Sequence, residues 1–455
     1  MKVVLVRPNY RSHIITPPLG LGYLSSFLKE HGIATKIIDG LRDNLSEEDL
    51  VKHILAECPD AVGITCLTAF YKEVVELSRM LKTARQKVVV GGVHPTFLPY
   101  DTLKDSGCDY VVLGEGELAL LKLAQSRFVN NGISGVYSID DLQGGEKQIA
   151  KAERIENLDE LPFPDWEQMN PASYPKAPHG AIAKNYPIGV ITTTRGCPCT
   201  CTFCASPSFY DKKIRFRTPS NVMQEIRFLV DHCGVKEIHF EDDNFTFRRR
   251  HVEALCNLII ESGIEISWAC PNGVRADKVD EGLISLMKKS GCYYFAYGIE
   301  SANQEILDNA RKQEKIIEIE QSINLAARCG ISCQGFFIFG LPGETRSSID
   351  QTIRFARKSR LARAQFLILD VVPGSELWLT LKGKFTPDWT KNSFKEPEWI
   401  PEGLTREYLL KSQSRAFREF YFKSPLRMVR LACRVRPSQI IYLLRRLREY
   451  RIVKP

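Results

Sequence analysis

The chain has 455 residues, of which 44% are apolar and 25% are charged, and its formal net charge at pH 7 is +8. This length supports two or three domains with separate cores, and the composition excludes a disordered or low-complexity protein. No apolar run approaches the length that spans a bilayer, which argues against a transmembrane protein.

The N-terminal sequence MKVVLVRPNY has the pattern of a β-strand and lacks the basic and apolar segments of a signal peptide. We therefore expect a cytoplasmic protein, whose thiols stay reduced. In that setting the 14 cysteines of the chain indicate metal binding or catalysis rather than disulfides.

Residues 1–130 alternate short apolar runs with amphipathic segments. The apolar runs are KVVLVRP, TKIIDG, AVGITC, KVVVGG and YVVLGEG. Short, wholly apolar strands joined by helices form parallel sheets that are covered on both faces. The pattern predicts a doubly wound, Rossmann-like α/β domain. Ligands bind such sheets at the carboxyl ends of the strands, where this chain carries glycines at 91–92 and 114–116, although tight turns alone also explain glycine.

A connector over 131–186 separates this block from a second βα series over 187–375. Its strand candidates are PIGVITTT, EIHFEDDNF, IEISWAC, YYFAYGIES, QGFFIFGLPG and QFLILDVVPG. Six βα units predict a partial (β/α)6 barrel, with function in the loops that follow the strands. The remaining residues, 376–455, are expected to be mainly helical and basic, since 406–455 contain 14 Lys/Arg and 3 Asp/Glu.

Four cysteines follow the first strand of the second series, in the sequence TTTRGCPCTCTFCASP. A structural zinc site would use four ligands, usually as two separated pairs. A redox dithiol would use only Cys201 and Cys204. The third interpretation takes Cys197, Cys201 and Cys204 as C-x3-C-x2-C, in which three thiolates bind three irons of a [4Fe–4S] cluster and leave the fourth iron open.

This spacing after the first strand of a barrel resembles the radical S-adenosylmethionine (SAM) superfamily. Phe203, directly before the last cysteine, matches the aromatic position of the family motif. The resemblance implies that Cys197, Cys201 and Cys204 hold a [4Fe–4S] cluster and that SAM binds its open iron. Cys199 departs from the family pattern, because that position is usually aromatic or polar.

Motifs after the second and third strands add to the resemblance. FEDDNFT places Glu241, Asp242 and Asp243 where the family binds the methionyl amine of SAM, with Asp242 as the first candidate. The alternative is that Asp243 or the following Asn caps the next helix. Arg275, in NGVRAD, lies where the family often has a residue near the SAM carboxylate.

Two further motifs follow the fourth and fifth strands. YGIES places Glu300 and Ser301 where family members contact the ribose or carboxylate of SAM. FIFGLPGET places Gly340 and Pro342 in a turn that the resemblance puts against the cofactor. The alternative for this turn is an ordinary strand-to-helix connection capped by Thr345.

The first block, followed by LDELPFPDW and then the cysteine motif, resembles the cobalamin-binding subclass of the superfamily. The resemblance implies a cobalamin at the strand ends, near Gly91, Gly92, Gly114, Glu115 and Gly116. His94 is a further candidate for this site. The D-x-H-x-x-G pattern of proteins that bind cobalt through histidine is missing, so a polar contact or a turn role is expected for His94 rather than axial ligation.

The resemblance implies a cobalamin-dependent radical SAM enzyme that methylates an unactivated carbon of a hydrophobic or natural-product-like small molecule, including a lipid-like one. Two alternatives remain: an oxidative ring cyclase of the anaerobic magnesium-protoporphyrin monomethyl ester cyclase type, and a non-catalytic cobalamin or Fe–S binding module. An enzyme of either kind needs an external electron donor such as flavodoxin or ferredoxin.

The basic C-terminal sequence bears on location and partners. SPLRMVRLACRVRPSQIIYLLRRLREYRIVKP alternates apolar residues and arginine at helical spacing. Such a segment favours peripheral contact with the inner, anionic face of a membrane. The alternatives are a helix that caps the barrel and an RNA-binding arm, although the few aromatics of the segment argue against nucleic acid.

Overall fold

The computed structural model describes residues 1–12, 14–143, 149–177, 182–389, 397–424, 427–429 and 439–440. The chain divides into two compact units, Met1–Pro175 and Lys176–Pro455. The boundary between the units lies inside the segment predicted as a connector.

The described part of the first unit forms a six-stranded sheet. Its strands are β1 (Lys2–Arg7), β2 (Ala34–Asp39), β3 (Ala61–Thr65), β4 (Val88–Gly91), β5 (Tyr110–Val112) and β6 (Val136–Tyr137). The order is β2-β1-β3-β4-β5-β6, and all neighbours are parallel except β5 and β6. The five apolar runs of the sequence are the five parallel strands, so the predicted doubly wound sheet is confirmed.

Helices connect these strands, as the amphipathic segments predicted. They are α1 (Leu19–Glu30), α2 (Gly40–Asp43), α3 (Glu47–Ala56), α4 (Tyr71–Thr83), α5 (Val93–Phe97), α6 (Pro99–Ser106), α7 (Glu117–Gln125) and α8 (Ile139–Leu142). Short 3-10 helices cover Thr68–Phe70, Leu158–Glu160 and Pro171–Ser173. Leu21, Phe27 and Leu28 of α1 are buried, since this face of the helix packs on the sheet.

Much of the predicted connector packs on the first unit. The Ser25 hydroxyl donates a hydrogen bond to Asp165 Oδ2 at 2.6 Å, and the Tyr174 hydroxyl donates to Asp39 Oδ2 at 2.9 Å. Arg7 makes two parallel bonds to the same Asp39 carboxylate, at 2.8 and 2.6 Å. These polar contacts join the connector to α1 and to the ends of β1 and β2.

The described residues of the second unit contain a six-stranded parallel sheet. Its strands are β7 (Ile188–Ile191), β10 (Glu237–Phe240), β11 (Ser267–Val274), β12 (Cys292–Glu300), β13 (Ser332–Phe339) and β14 (Arg363–Ile368), and a separate antiparallel pair is formed by β8 (Thr194–Arg195) and β9 (Arg215–Phe216). The sheet order β14-β13-β12-β11-β10-β7 follows the chain. All six predicted strands are present in this order, which confirms the partial (β/α)6 barrel.

Helices of this unit alternate with its strands. They are α9 (Ser206–Phe209), α10 (Pro219–Cys233), α11 (Arg249–Glu261), α12 (Glu281–Lys289), α13 (Gln304–Asn309), α14 (Ile316–Arg328), α15 (Arg346–Lys358), α16 (Glu376–Thr380) and α17 (Arg406–Tyr421), with a 3-10 turn at Ala276–Lys278. α17 packs against β14, where the Tyr421 hydroxyl donates to Ala364 O at 3.0 Å.

The basic C-terminal segment lies mostly outside the described residues, so its predicted helix is not described. Its Gln439 is buried and donates a hydrogen bond to the Tyr186 hydroxyl at 2.9 Å. Among the helices that the structure describes, none combines the length and the apolar character that crossing a membrane requires.

Candidate cofactor site

The loop with the four cysteines begins at the carboxyl end of β7 and has a fixed base. β8 and β9 pair on either side of it, with Thr194 opposite Phe216. Gly196, directly before Cys197, has a φ of +97°, and a Cβ there would overlap the carbonyl oxygen of Lys213. The loop can therefore start only with glycine at this position.

Three contacts hold the middle of this loop. The Thr202 amide donates to Ala310 O at 3.0 Å, and Thr202 O accepts from the Leu377 amide at 2.9 Å. The Ser206 hydroxyl donates to Asp243 Oδ2 at 2.6 Å. Phe203 packs on an apolar cluster that includes buried Leu341 and Leu377. The four cysteines are half-buried free thiols, so their sulfur atoms are available as ligands.

Asp242 holds the strand end that precedes the loop. Its side chain is 1% exposed, and its Oδ1 accepts from the Thr193 amide and hydroxyl at 2.9 and 3.0 Å. The amide and hydroxyl of Thr194 donate to the same oxygen, both at 2.5 Å. Burial raises the pKa of Asp242 to about 6 although these hydrogen bonds oppose the rise. Its Oδ2 accepts no hydrogen bond from any residue that the structure describes.

Arg275 joins the cysteine loop to a neighbouring turn. Its Nη1 donates to Cys199 Sγ at 3.3 Å and to Lys312 O at 3.1 Å, and its Nη2 donates to Gln313 O at 2.8 Å. Its Nε donates to Asp277 Oδ1 at 2.8 Å. A hydrogen bond from Cys197, together with Arg275 and Lys312, lowers the pKa of Cys199 to about 6 against the effect of burial.

The candidates after β12 and β13 lie at the same edge of the sheet. Glu300 is buried at the end of β12 with a φ of +62°, and its Oε1 lies 3.2 Å from Lys312 Nζ. Ser301 is buried behind it and accepts from the Asn303 amide at 3.2 Å. Gly340 has a φ of +95°, and its amide donates to Glu344 Oε2 at 2.5 Å.

The structure distinguishes between the two helix-capping alternatives that the sequence left open. Asp243 or Asn244 as a helix cap is wrong, because α11 begins at Arg249, well after both residues. The neighbouring Glu241 accepts a hydrogen bond from Asn272 Nδ2 at 2.6 Å. Thr345 does cap α15, by accepting from the Ser348 amide, so the turn that contains Pro342 also serves as the predicted strand-to-helix connection.

The described residues bear on the zinc interpretation. In the part of the chain that the structure describes, no three or more His, Cys, Asp or Glu side chains gather around a position for one metal ion. A structural zinc site needs four ligands around a single ion. In a [4Fe–4S] cluster, by contrast, the cysteines would bind different irons rather than one ion.

In the first unit, the glycine candidates form two linked turns. Gly92 has a φ of +120°, and a Cβ there would lie 2.5 Å from Cys66 O. The Thr96 hydroxyl donates to Gly92 O at 2.7 Å and accepts from the Gly114 amide at 2.9 Å. The turn after β5 continues through Glu115 to Gly116, which precedes α7.

His94 lies inside the first unit rather than at its edge. The side chain is fully buried, its Nδ1 lies 3.1 Å from Thr68 Oγ1, and its ring stacks on Tyr71 with 4.0 Å between centroids. Burial lowers the pKa of His94 to about 3. The structure thus places His94 against Thr68 and Tyr71, and its role toward cobalamin stays a prediction.

Comparison with known proteins identifies two family models in the chain. The B12 binding domain matches residues 11–124, and the radical SAM superfamily matches residues 191–356. An uncharacterized methyltransferase of Pyrococcus horikoshii is 32% identical over 93% of this chain and 93% of its own. The chain belongs to the cobalamin-dependent radical SAM enzymes.

Two further similarities agree with this family. The anaerobic magnesium-protoporphyrin IX monomethyl ester cyclase of Rubrivivax gelatinosus is 30% identical over 92% of this chain and 77% of its own. The radical SAM methyltransferase TsrM of Kitasatospora setae, solved with cobalamin and a [4Fe–4S] cluster, has a TM-score of 0.69 and covers 92% of this chain and 81% of its own. At 18% sequence identity, this structural similarity shows a shared fold.

Family membership confirms several predictions. The chain is a radical SAM enzyme with an N-terminal B12-binding domain, and its cofactors are a [4Fe–4S] cluster, SAM and cobalamin. The alternative of a non-catalytic binding module is not supported. Which residues hold each cofactor remains a prediction.

Three residues of this site were not found from the sequence. Lys312 and Glu314 lie in the segment RKQEK, which contains no recognisable motif and has the charged composition of an exposed helix. Glu344 lies in LPGET, where the glycines drew attention, although it is the carboxylate that binds the Gly340 amide. The position of Glu344 four residues after Gly340 was the available signal.

We expect the Asp242→Asn variant to alter the pH dependence of stability. Folded Asp242 keeps its proton up to about pH 6, whereas an unfolded aspartate releases it near pH 4. The wild type should therefore lose roughly 2 kcal/mol relative to the variant as the pH rises from 4 to 6. Urea unfolding over this range measures the difference, with Asp308→Asn as an exposed control. Parallel curves for wild type and Asp242→Asn would contradict the assignment.

Cysteine variants should separate the cluster ligands from Cys199. Because C-x3-C-x2-C excludes Cys199, we expect Cys199→Ala to retain a four-iron cluster and to cleave SAM, whereas Cys197→Ala should retain neither property. Iron and sulfide analysis and 5′-deoxyadenosine formation after anaerobic reconstitution measure both. Loss of the cluster in Cys199→Ala would show that the ligand assignment is wrong.

Proposed function

We propose that this enzyme methylates an unactivated carbon of a hydrophobic or natural-product-like small molecule. The observation that carries the proposal is the similarity to a methyltransferase over 93% of both chains. The reaction class is therefore inferred from a relative that shares nearly the whole chain rather than one domain.

Cys197, Cys201 and Cys204 are proposed to hold the [4Fe–4S] cluster. The fit rests on three half-buried free thiols in one loop whose base, middle and end are each fixed by other residues. Cys199 is proposed to stay outside the cluster, because its sulfur already accepts a hydrogen bond from Arg275.

The SAM site is proposed at the carboxyl ends of the same strands. Two buried oxygens there, Asp242 Oδ2 and Asn244 Oδ1, accept no hydrogen bond within the described chain, and such acceptors suit an ammonium group. The proposed SAM contacts are Phe203, Glu241, Asp242, Asp243, Arg275, Glu300, Ser301, Gly340 and Pro342. Arg275 would also hold the cysteine loop in place, since four of its N–H groups are already engaged.

The cobalamin site is proposed at the carboxyl ends of β4 and β5. Leu67, which follows β3 at this edge, is 43% exposed, and an exposed apolar side chain suits contact with a large planar ligand. The proposed contacts are Gly91, Gly92, Gly114, Glu115 and Gly116, with His94 supporting the turn from inside.

The proposed residues would hold the three cofactors, whose chemistry would be radical hydrogen abstraction and methyl transfer. The chain itself positions these groups and limits the access of water. Phe203, Trp378, Phe385 and Trp399 pack together on one apolar cluster next to the cysteine loop. Half-buried aromatic side chains at this position support a hydrophobic substrate.

Ring cyclisation is the second candidate, because a cyclase is 30% identical over 92% of this chain. The two reactions differ in their products. Methylation converts one SAM to S-adenosylhomocysteine for each methyl group transferred, whereas cyclisation does not.

Product analysis of the reconstituted full-length enzyme tests the proposal. With SAM, cobalamin, a reductant and candidate substrates, we expect the wild type to form S-adenosylhomocysteine and 5′-deoxyadenosine together. The Cys201→Ala variant should form neither product. Formation of 5′-deoxyadenosine without S-adenosylhomocysteine during turnover would reject methylation. Since SAM cleavage consumes an electron, a flavodoxin or ferredoxin donor is part of the proposal.

A cytoplasmic location with peripheral membrane contact is also proposed, on the charge of residues 406–455. The buried Gln439 supports the competing role as a barrel cap. If the basic segment docks on lipid, full-length protein should float with anionic liposomes, and a 1–424 variant, which keeps α17 on β14, should not. Equal flotation of the two proteins would end the membrane proposal.

A further inference from the structure

Lys312 is a buried lysine beside the cysteine loop. Its Nζ lies 3.2 Å from Glu300 Oε1 and 3.5 Å from Glu314 Oε2, and all three side chains are buried. Burial lowers the pKa of Lys312, but the attraction of Glu300 and Glu314 outweighs burial and raises the pKa above its ordinary value. Lys312 is therefore a permanent positive charge in a region with little water.

The backbone is shaped to hold this charge. A Cβ at Gly298 would lie 2.5 Å from Glu300 Oε1 and 2.9 Å from Lys312 Nζ, so the glycine leaves the space that the ion pair fills. Glu300 and Gln313 have φ values of +62° and +56°, which non-glycine residues rarely adopt. Such strain persists only where the surrounding structure holds it in place.

Two direct links join the Lys312 turn to the cysteine loop. The Thr202 amide donates to Ala310 O at 3.0 Å, two residues before Lys312. Arg275 Nη1 contacts both Cys199 Sγ, at 3.3 Å, and Lys312 O, at 3.1 Å. The charge is thus fixed relative to the loop that carries the candidate cluster ligands.

We propose that Lys312 supplies a fixed positive charge that favours one-electron reduction of the [4Fe–4S] cluster. The inference rests on the cluster assignment of the proposed function. An added electron is stabilised by a nearby positive charge, and the effect is large where little water screens it. The potentials of Fe–S clusters depend on such local charge. Glu300 and Glu314 hold the ammonium and offset part of its effect.

A redox titration of the reconstituted full-length protein, followed by EPR without SAM, tests this role. In Lys312→Gln, which keeps a hydrogen-bond donor for the carboxylates, the ratio of reduced to oxidised cluster at the wild-type midpoint should fall about tenfold. Glu300→Gln should shift that ratio in the opposite direction. Lys312→Arg should stay close to wild type because the charge is kept.

Lys315→Gln is the matched control, because Lys315 is three residues away and its side chain is 72% exposed. An unchanged midpoint in Lys312→Gln with full iron content would overturn the inference and leave the proposed function intact. If Lys312→Gln takes up no cluster, the redox titration of Glu300→Gln tests the inference instead. A midpoint potential of Glu300→Gln that is not higher than that of the wild type would overturn the inference. A wild-type chain without a four-iron cluster would overturn the proposed function as well.

Discussion

The hydrogen bonds of Asp242 are the interaction on which the candidate site depends. One carboxylate oxygen takes four donors from Thr193 and Thr194, which lie between β7 and the cysteine loop. The carboxylate itself follows β10, so these bonds fix the end of one strand against the start of a loop that leaves its neighbour. The cysteines are thereby positioned by residues that bind no metal.

The same edge of the sheet also contains a group of buried charged side chains. Arg275, Lys312, Glu300 and Glu314 are all buried, and each lies within 4 Å of a group of opposite charge in this set. Removing one member of such a group leaves another charge unpaired, which costs far more than the pair contributes. The group is therefore a rigid unit, and its rigidity extends to the cysteine loop through Arg275.

In both units the candidate residues lie at the carboxyl ends of parallel strands, where parallel sheets generally bind ligands. In the first unit the edge consists of glycine turns joined by Thr96, which lets the backbone approach a ligand. In the second unit the edge carries thiols and charged side chains. The difference suits a large ligand that approaches the backbone in one unit and a metal cluster with a charged cosubstrate in the other.

The sequence by itself determined the strands and the cysteine spacing, because both are local. Short apolar runs became the parallel strands of both sheets. C-x3-C-x2-C together with the motifs at the strand ends was enough to indicate the family and its cofactors. These signals lie within short stretches of chain, so no knowledge of distant partners was needed.

Only the tertiary structure decided how the side chains at these positions are used. Asp242 bonds residues 48 and 49 positions away, Lys312 pairs with Glu300 from the other end of α13, twelve positions along the chain, and His94 is buried in the core. A side chain's direction and burial depend on which elements the fold brings beside it, and that information is not contained in a local pattern. The sequence therefore located the edge that carries the candidate residues, and the fold decided which charges there lie beside the cysteine loop.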